Sequence, residues 1–465
     1  MRVRQTGIRH LALMAAAAIV LTAATGAVQA RATDPEEPGP ILFGANTYAY
    51  SGSYGEPGIA TAPDGTIYVS TPGESGAVLA RSDNLGKKWT KLHTVVPPDD
   101  SPGQFTSGSD SDVAVAADGT VYVGDLTIDG IEVSKSTDRG QTFTQQAFIP
   151  FSADREWLAT DGPHGENVYV AWHELATGTM LVVTSTDRGA TFGPPHVIYS
   201  EPQTIAQSGR NGTSIGNIVT DGHGGAYVVY GITRLDTTDT TNIVPPISEI
   251  RMSVTHDSGA TWKDVSVNPG AADANLGNFW VSTGIDTAGN LYAVYSGYAH
   301  KGEPMHVWLQ ESTDQGVTWT QPLAVDDPGG QDLFGWVAGG GAGVAVVAWY
   351  HTDNANKDDT AAQWVVQVAQ VRGLTTSHVD NQTVQASDHV NHVGGICTLG
   401  IFCGVLPGSS PDRTLLDFFK VTVDPTGMVE VTWSDNHRPT GGNGVGFARQ
   451  STGESALDPV IYPHT

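Results

Sequence analysis

The densest run of side chains able to move protons or hold charge is Asp154-Arg155-Glu156-Trp157, "DREW". An Arg between two acids can hold one carboxylate ionised while a more buried neighbour keeps its proton, and general acid–base work needs such a split. The same run would also serve as a structural salt bridge. Asp110 and Asp112, in "GSDSDVAVA", could bind Ca²⁺ through alternate carboxylates or sit in a solvated loop. Asp417 stands inside the apolar "LLDFF", where an unpaired carboxylate is costly, so it either pairs with an Arg such as Arg413 or faces a channel. His173 with Glu174, and His351 with Asp353, read as hydrogen-bonded pairs or as parts of a metal site. Cys397 and Cys403, in "GGICTLGIFCGV", are the only cysteines, and a near pair in an exported chain reads as a disulfide pinning one loop.

Export is itself a reading of the first thirty residues. "MRVRQTGIRH" is basic, "LALMAAAAIVLTAATGAV" is apolar, and small residues precede Arg31, the pattern of a signal peptide cut after Ala30. Residues 31–40, "RATDPEEPGP", read as a flexible lead-in, and 41–465 as one domain. No other stretch is long enough to span a bilayer, so no membrane insertion is expected after cleavage. The whole chain carries 23 Lys and Arg against 49 Asp and Glu, net −26, and loss of the signal leaves about −29. Such a surface repels nucleic acid and favours a soluble, extracellular, monomeric protein.

The elements that must position these residues are repeats. "STDRGQTF" (136–143) returns as "STDRGATF" (185–192), with further copies at "SDNLGKKW" (82–89), "THDSGATW" (255–262) and "STDQGVTW" (312–319). The shared pattern is Ser/Thr-x-Asp-x-Gly-x-Thr-Trp/Phe. Asp can accept backbone N–H bonds and close the turn, and Gly can take the positive φ of a tight reversal. The aromatic can wedge into the seam beside the outgoing strand. Upstream of each turn lie two strands around an Asp/Gly turn, as in "VAVAADGTVYVG" (113–124), and "VAGGGAGVAVVAWY" (337–350) and "VTVDPTGMVEVTW" (421–433) add two copies without the later motif. The unit is four antiparallel strands repeated about every 45–80 residues, which predicts an all-β propeller of seven blades, with six as the alternative. Either 41–50 or 458–463 could supply the last outer strand.

The repeated turn resembles the Asp-box, or BNR repeat, of the sialidase superfamily, and the likeness covers roughly residues 45–450. In that superfamily the Asp-box is structural and lies away from the active site. The likeness implies a sialidase-like glycoside hydrolase fold, in which Tyr295 or Tyr298 would be the candidate nucleophile. Sialidases also share an early Phe/Tyr-Arg-Ile-Pro motif whose Arg grips the sialic acid carboxylate. Here "SYGEPGIATA" places Glu56-Pro57 in that position.

In a propeller the first strand of each repeat starts at one mouth of the central channel and the second returns there. Residues at those points are Glu56, Asp110, Asp112, Asp154, Arg155, Glu156, Trp280, Trp336, Arg413 and Asp417 at the starts. Asp125, Glu174, Tyr298, Asp435 and Arg438 stand at the returns. Carboxylates bond hydroxyls or donate protons and aromatics stack on sugar rings, so this mixture suits carbohydrate. The expected catalytic acids are Asp154, Glu156, Asp112 and Asp417. The expected substrate contacts are Arg155, Glu174, Trp280, Trp336, Tyr298, Asp435 and Arg438. No cofactor is required, and the partner is an extracellular glycan or glycoprotein. A non-catalytic propeller that docks glycan or protein at the same mouth is the alternative.

Overall fold

The computed structural model describes residues 39–458 apart from 53–54, 74–75, 93–109, 128–129, 151–152, 175–176, 201–212, 234–245, 278–279, 327–328, 399–402, 404–411 and 416. The expected signal peptide, 1–30, and most of the expected lead-in lie outside the described residues. The chain forms a seven-bladed, all-β propeller of antiparallel sheets. Blades 1 to 6 span 58–92, 111–149, 153–200, 213–268, 281–324 and 331–385. Blade 7 takes three strands from 420–452 and its outer strands from 42–51. The innermost strands are Gly58–Thr61, Ser111–Val115, Ala153–Asp161, Thr213–Thr220, Val281–Ile285, Gln331–Gly339 and Lys420–Val423, and each touches the next around a closed ring.

The second strand of each blade explains the unbroken apolar runs. Asn167–Glu174, Val344–Thr352 and Val429–Asp435 are buried at every position. Neighbouring blades cover both faces of these strands, so the inside–outside alternation of a half-exposed strand disappears. The ring closes through the amino-terminal segment. Thr47–Ser51 pairs with Gly444–Thr452, with Thr47 opposite Phe447 and Ser51 opposite Gly444. Of the two segments that could finish the last blade, 41–50 does so. This also accounts for the missing motif there, because the third strand of blade 7, Gly444–Thr452, and the outer strands from 42–51 come from opposite chain ends and no hairpin joins them.

The repeated turns share one hydrogen-bond pattern. In blade 3 the Ser185 hydroxyl donates to Asp187 (2.7 Å) and accepts from the Gly189 amide (2.9 Å), while Asp187 accepts from the Thr191 amide (2.8 Å) and hydroxyl (2.6 Å). Blades 2, 4 and 5 repeat it around Asp138, Asp257 and Asp314. In blade 1 Asn84 accepts from the Lys88 amide, and no Thr hydroxyl is present to add the second bond. The residue before each Gly is left-handed as well, from Leu85 (φ 59°) to Gln315 (φ 60°). Sequence reading assigned that conformation to the Gly alone.

The turns also fasten blade to blade. Arg139 of blade 2 reaches Asp83 of blade 1 (2.7 Å), and Arg188 of blade 3 pairs with Asp118 of blade 2. Bonds from the turn's own Thr hydroxyl and amide hold Asp138, Asp187 and Asp257 down at about 2, against an ordinary 3.8. A depressed carboxyl stabilises the fold above its unfolded pKa, and that contribution fades as pH falls from about 4 towards about 2. Asp187→Ala is expected to lower the calorimetric unfolding temperature by a few degrees at pH 7, with the gap from wild type closing near pH 2. A gap independent of pH would refute this account of the turn.

Candidate active site

The innermost strands begin with irregular backbone at one end of the ring, here the upper face. The pairing register slips between Asp154 and Trp157 in blade 3, between Ile215 and Ile218 in blade 4, and between Leu333 and Trp336 in blade 6. Arg155 (φ 51°) and Phe334 (φ 58°) sit inside two of these bulges, and Glu56 (φ 48°) precedes the innermost strand of blade 1. Positive φ at a side-chain-bearing residue costs on the order of 1–3 kcal/mol and persists only where the surroundings fix it. Bulges of this kind re-aim side chains near strand ends.

The chain starts of blades 7, 1, 2 and 3 bring four acids into one electrostatic group. The Glu56 carboxyl bonds to Asp110, and its amide donates to Ser434 Oγ (3.2 Å). Asp110 Oδ2 accepts from the Arg155 amide (3.2 Å), and Asp417 forms an ion pair with Arg413. Burial is the main force on these groups. It pushes Asp154 up to about 7, helped by the charges of Asp110 and Asp417. It pushes Asp417 up to about 6, against the pull of Arg413. Glu56 is driven well above the usual carboxylate range by burial and then by Asp110 and Asp417. Asp154 remains partly open to solvent, whereas Glu56 and Asp417 are buried.

One step further along the strands lies a second layer. Lys420 Nζ contacts Asp112 Oδ1 at 2.5 Å, and Asp112 Oδ2 accepts from the Leu158 amide (3.0 Å). The Arg155 guanidinium is stacked 3.8 Å from the Trp157 ring centre and 3.9 Å from that of Phe418, and its Nη1 donates to the Ser111 carbonyl (3.2 Å). Trp157 in turn packs on Trp280 and Trp336, with ring centres 6.1 and 5.1 Å apart. Glu156 is fully buried beside Gly124. Its pKa is driven well above the ordinary range by burial, opposed by Arg155. Lys420 was missed by sequence reading, although a lone Lys in the apolar "FFKV" calls for a buried acid.

The other expected residues lie apart from this group. Asp435 accepts from the Tyr48 hydroxyl (2.9 Å) and contacts His389 Nε2 (2.9 Å), while Arg438 stands over the Tyr48 ring at 4.5 Å. They tie the closing strand of blade 7 to the segment after blade 6. Tyr298 pairs through its backbone with Asn275, and Glu174 ends the second strand of blade 3, with its carbonyl accepting from the Gly178 amide (2.9 Å). Tyr295 bonds to Gln310 and Asn268 inside the blade 4–5 core. His351 is held by Asp332 (2.8 Å), and burial pushes His173 down to about 4. Among the described residues, no three or more His, Cys, Asp or Glu side chains group so as to hold a metal ion. Cys397 and Cys403 form a disulfide.

The fold and this acid-rich face define the class, a seven-bladed β-propeller with a polar cluster where its innermost strands begin. No known family model matches the chain, and no curated protein sequence matches it. Similar solved structures include a fungal alcohol oxidase of the AA5 family in complex with copper, at 11% identity over 89% of this chain and 77% of that one, with a TM-score of 0.51. They also include the GH93 α-L-arabinofuranosidase of Fusarium graminearum with arabinobiose, at 12% identity over 88% and 97%, TM-score 0.44. A Hadza microbial sialidase matches at 12% identity over 83% and 73%, TM-score 0.41. At such identities the likeness shows the fold alone.

Proposed function

We propose that the chain is an exported glycoside hydrolase of sialidase-like architecture that acts on extracellular glycans through the acids of the upper face. The observation that carries this reading is the pair Asp154 and Asp417. The two interact beside Arg155, are poised at about 7 and about 6, and differ in partner. Asp417 has the Arg413 guanidinium to favour its ionised form, and Asp154 has acidic neighbours that favour its protonated form. Hydrolysis of a glycoside needs this division, with one acid protonating the leaving oxygen and one carboxylate acting as nucleophile or base. Asp154 takes the first role and Asp417 the second. Arg155 fixes the charge between them, and Glu156 and Asp112 with Lys420 form the floor. A Ca²⁺ ion at Asp110 and Asp112 would have to displace Lys420 from Asp112.

A second reading is a propeller that binds glycan or protein without chemistry. It is favoured by the ion pairs of Asp112 with Lys420 and of Asp417 with Arg413, since paired acids also serve as structure. A screen of the purified mature chain against sialosides and a panel of aryl glycosides separates the two. The hydrolase reading expects turnover that Asp154→Asn and Asp417→Asn each reduce by about 10²-fold or more. Glycan binding without turnover would establish the second reading instead.

A further inference from the structure

The contact of Lys420 Nζ with Asp112 Oδ1 (2.5 Å) joins the innermost strands of blades 7 and 2 across blade 1. The two side chains are 11% and 1% exposed. Trp157 and Trp336 wall the amine, with ring centres 4.8 and 5.5 Å from Nζ. Two charges held in such surroundings have lost their hydration, and a neutral pair in their place costs less. The amine is not held firmly in its charged form, since burial pushes Lys420 below its ordinary range against the pull of Asp112.

The Asp112 carboxyl is set up as an acyl group open to addition. The Val113 amide donates to Oδ1 (2.9 Å) and the Leu158 amide to Oδ2 (3.0 Å). Backbone donors so placed stabilise the charge that gathers on a carbonyl oxygen as its carbon is attacked. A nitrogen in contact with one carboxyl oxygen is close to the carbon as well, near the separation of about 3–3.5 Å from which bonds form. Glu156 is within electrostatic reach of both Asp112 and Lys420. It is 0% exposed, and its two carboxyl oxygens have no hydrogen-bond partner apart from the residue's own amide. Burial holds its proton in place, against Arg155. A protonated carboxyl both donates and accepts, so it can pass a proton from one neighbour to another.

We propose that Lys420 and Asp112 condense into an intramolecular isopeptide bond, with Glu156 as the proton carrier. The Lys420 ammonium first gives one proton to Asp112 Oδ1, which leaves a neutral amine beside a neutral carboxylic acid. The amine lone pair then bonds to Cγ, and the C=O pair moves onto Oδ2, facing the Leu158 amide. Glu156 gives its proton to Oδ1 and takes one from the nitrogen. The Cγ–Oδ1 bond breaks, one water leaves, and the double bond to Oδ2 is restored. Glu156 ends as it began, and the step consumes no oxidant or co-reactant. The product is a neutral amide tying positions 308 residues apart, whereas the disulfide spans a separation of 6. A cross-link over so long a loop restricts the unfolded chain and holds the ring shut. The bond forms whether or not the upper face binds glycan.

The test is the mass of the purified mature chain under denaturing conditions, which should fall one water short of the mass its sequence requires. A tryptic digest should yield a branched peptide joining the segment around Asp112 to the segment around Lys420, with no cleavage after Lys420. Lys420→Arg should restore the full mass. So should Glu156→Gln, with an unchanged circular dichroism spectrum showing that the propeller still forms. Wild-type chain at full mass, with Asp112 and Lys420 recovered in separate peptides, would overturn the proposal without recourse to any variant. A water still missing from Lys420→Arg would place the dehydration elsewhere and overturn the assignment. Complete cross-linking in Glu156→Gln would overturn the role of Glu156.

Discussion

Replacing Lys420 with methionine should destabilise the fold by about 3–5 kcal/mol, the usual consequence of breaking a buried ion pair from one side. Its side chain is 11% exposed and that of Asp112 1%, so water can do little to compensate the survivor. Asp112 also accepts from the amides of Val113 and Leu158, which joins blade 2 to blade 3 at the centre of the ring. Burial already pushes Lys420 below its ordinary pKa, and Asp112 is the first opposing influence. Asp112→Leu alone should therefore leave a buried amine with its main support gone, at a similar cost. The double variant, Asp112→Leu with Lys420→Met, should be less destabilised than the sum of the two singles, because it removes both charges together. Urea titrations of the four proteins complete the cycle. Strict additivity would mean that the two groups do not support each other.

This pair also marks where the sequence stops being informative. The blades were legible because two periodic signals recur together, the Asp-Gly turn and the apolar strand pair before it. Each element is local, and each is repeated under the same constraint. The upper face was legible as a place, since strand direction alone puts Asp110, Asp154 and Asp417 at the same end. The partnerships were not. Lys420 and Asp112 lie 308 residues apart and meet only because the ring closes. No local pattern announces Thr47–Ser51 as the strand that closes it. The bulge at Asp154–Trp157 is equally hidden, because a register slip changes which face each residue of "DREW" takes without changing its hydropathy. Glu156 thus reads from sequence as a face residue and lies buried against Gly124, whereas Asp435 and Arg438 share strand direction with the cluster but are placed in a different radial layer, against Tyr48.

Asp154→Asn should reduce glycoside turnover by about 10²–10⁴-fold, the range associated with loss of a positioned proton donor. The wild-type pH profile should have a narrow summit. A donor must hold its proton, and burial keeps Asp154 protonated up to about 7, so activity falls as pH rises through that value. Its partner must be ionised, and Asp417 is held at about 6, so activity also falls as pH drops below that point. The summit therefore lies between about 6 and 7, and because the two acids interact, its limbs belong to the pair rather than to either residue alone. The assignment of roles is checked by Arg413→Gln. Arg413 lowers Asp417 directly and acts on Asp154 only as a weaker influence behind burial and the acids. Its loss should move the acidic limb upward by more than the basic limb, compressing the summit from below and reducing the maximum. If instead the basic limb moves more, the donor is Asp417 and the two roles are exchanged. An acidic limb that stays fixed would remove Asp417 from the chemistry altogether, whatever the effect of substituting Asp154.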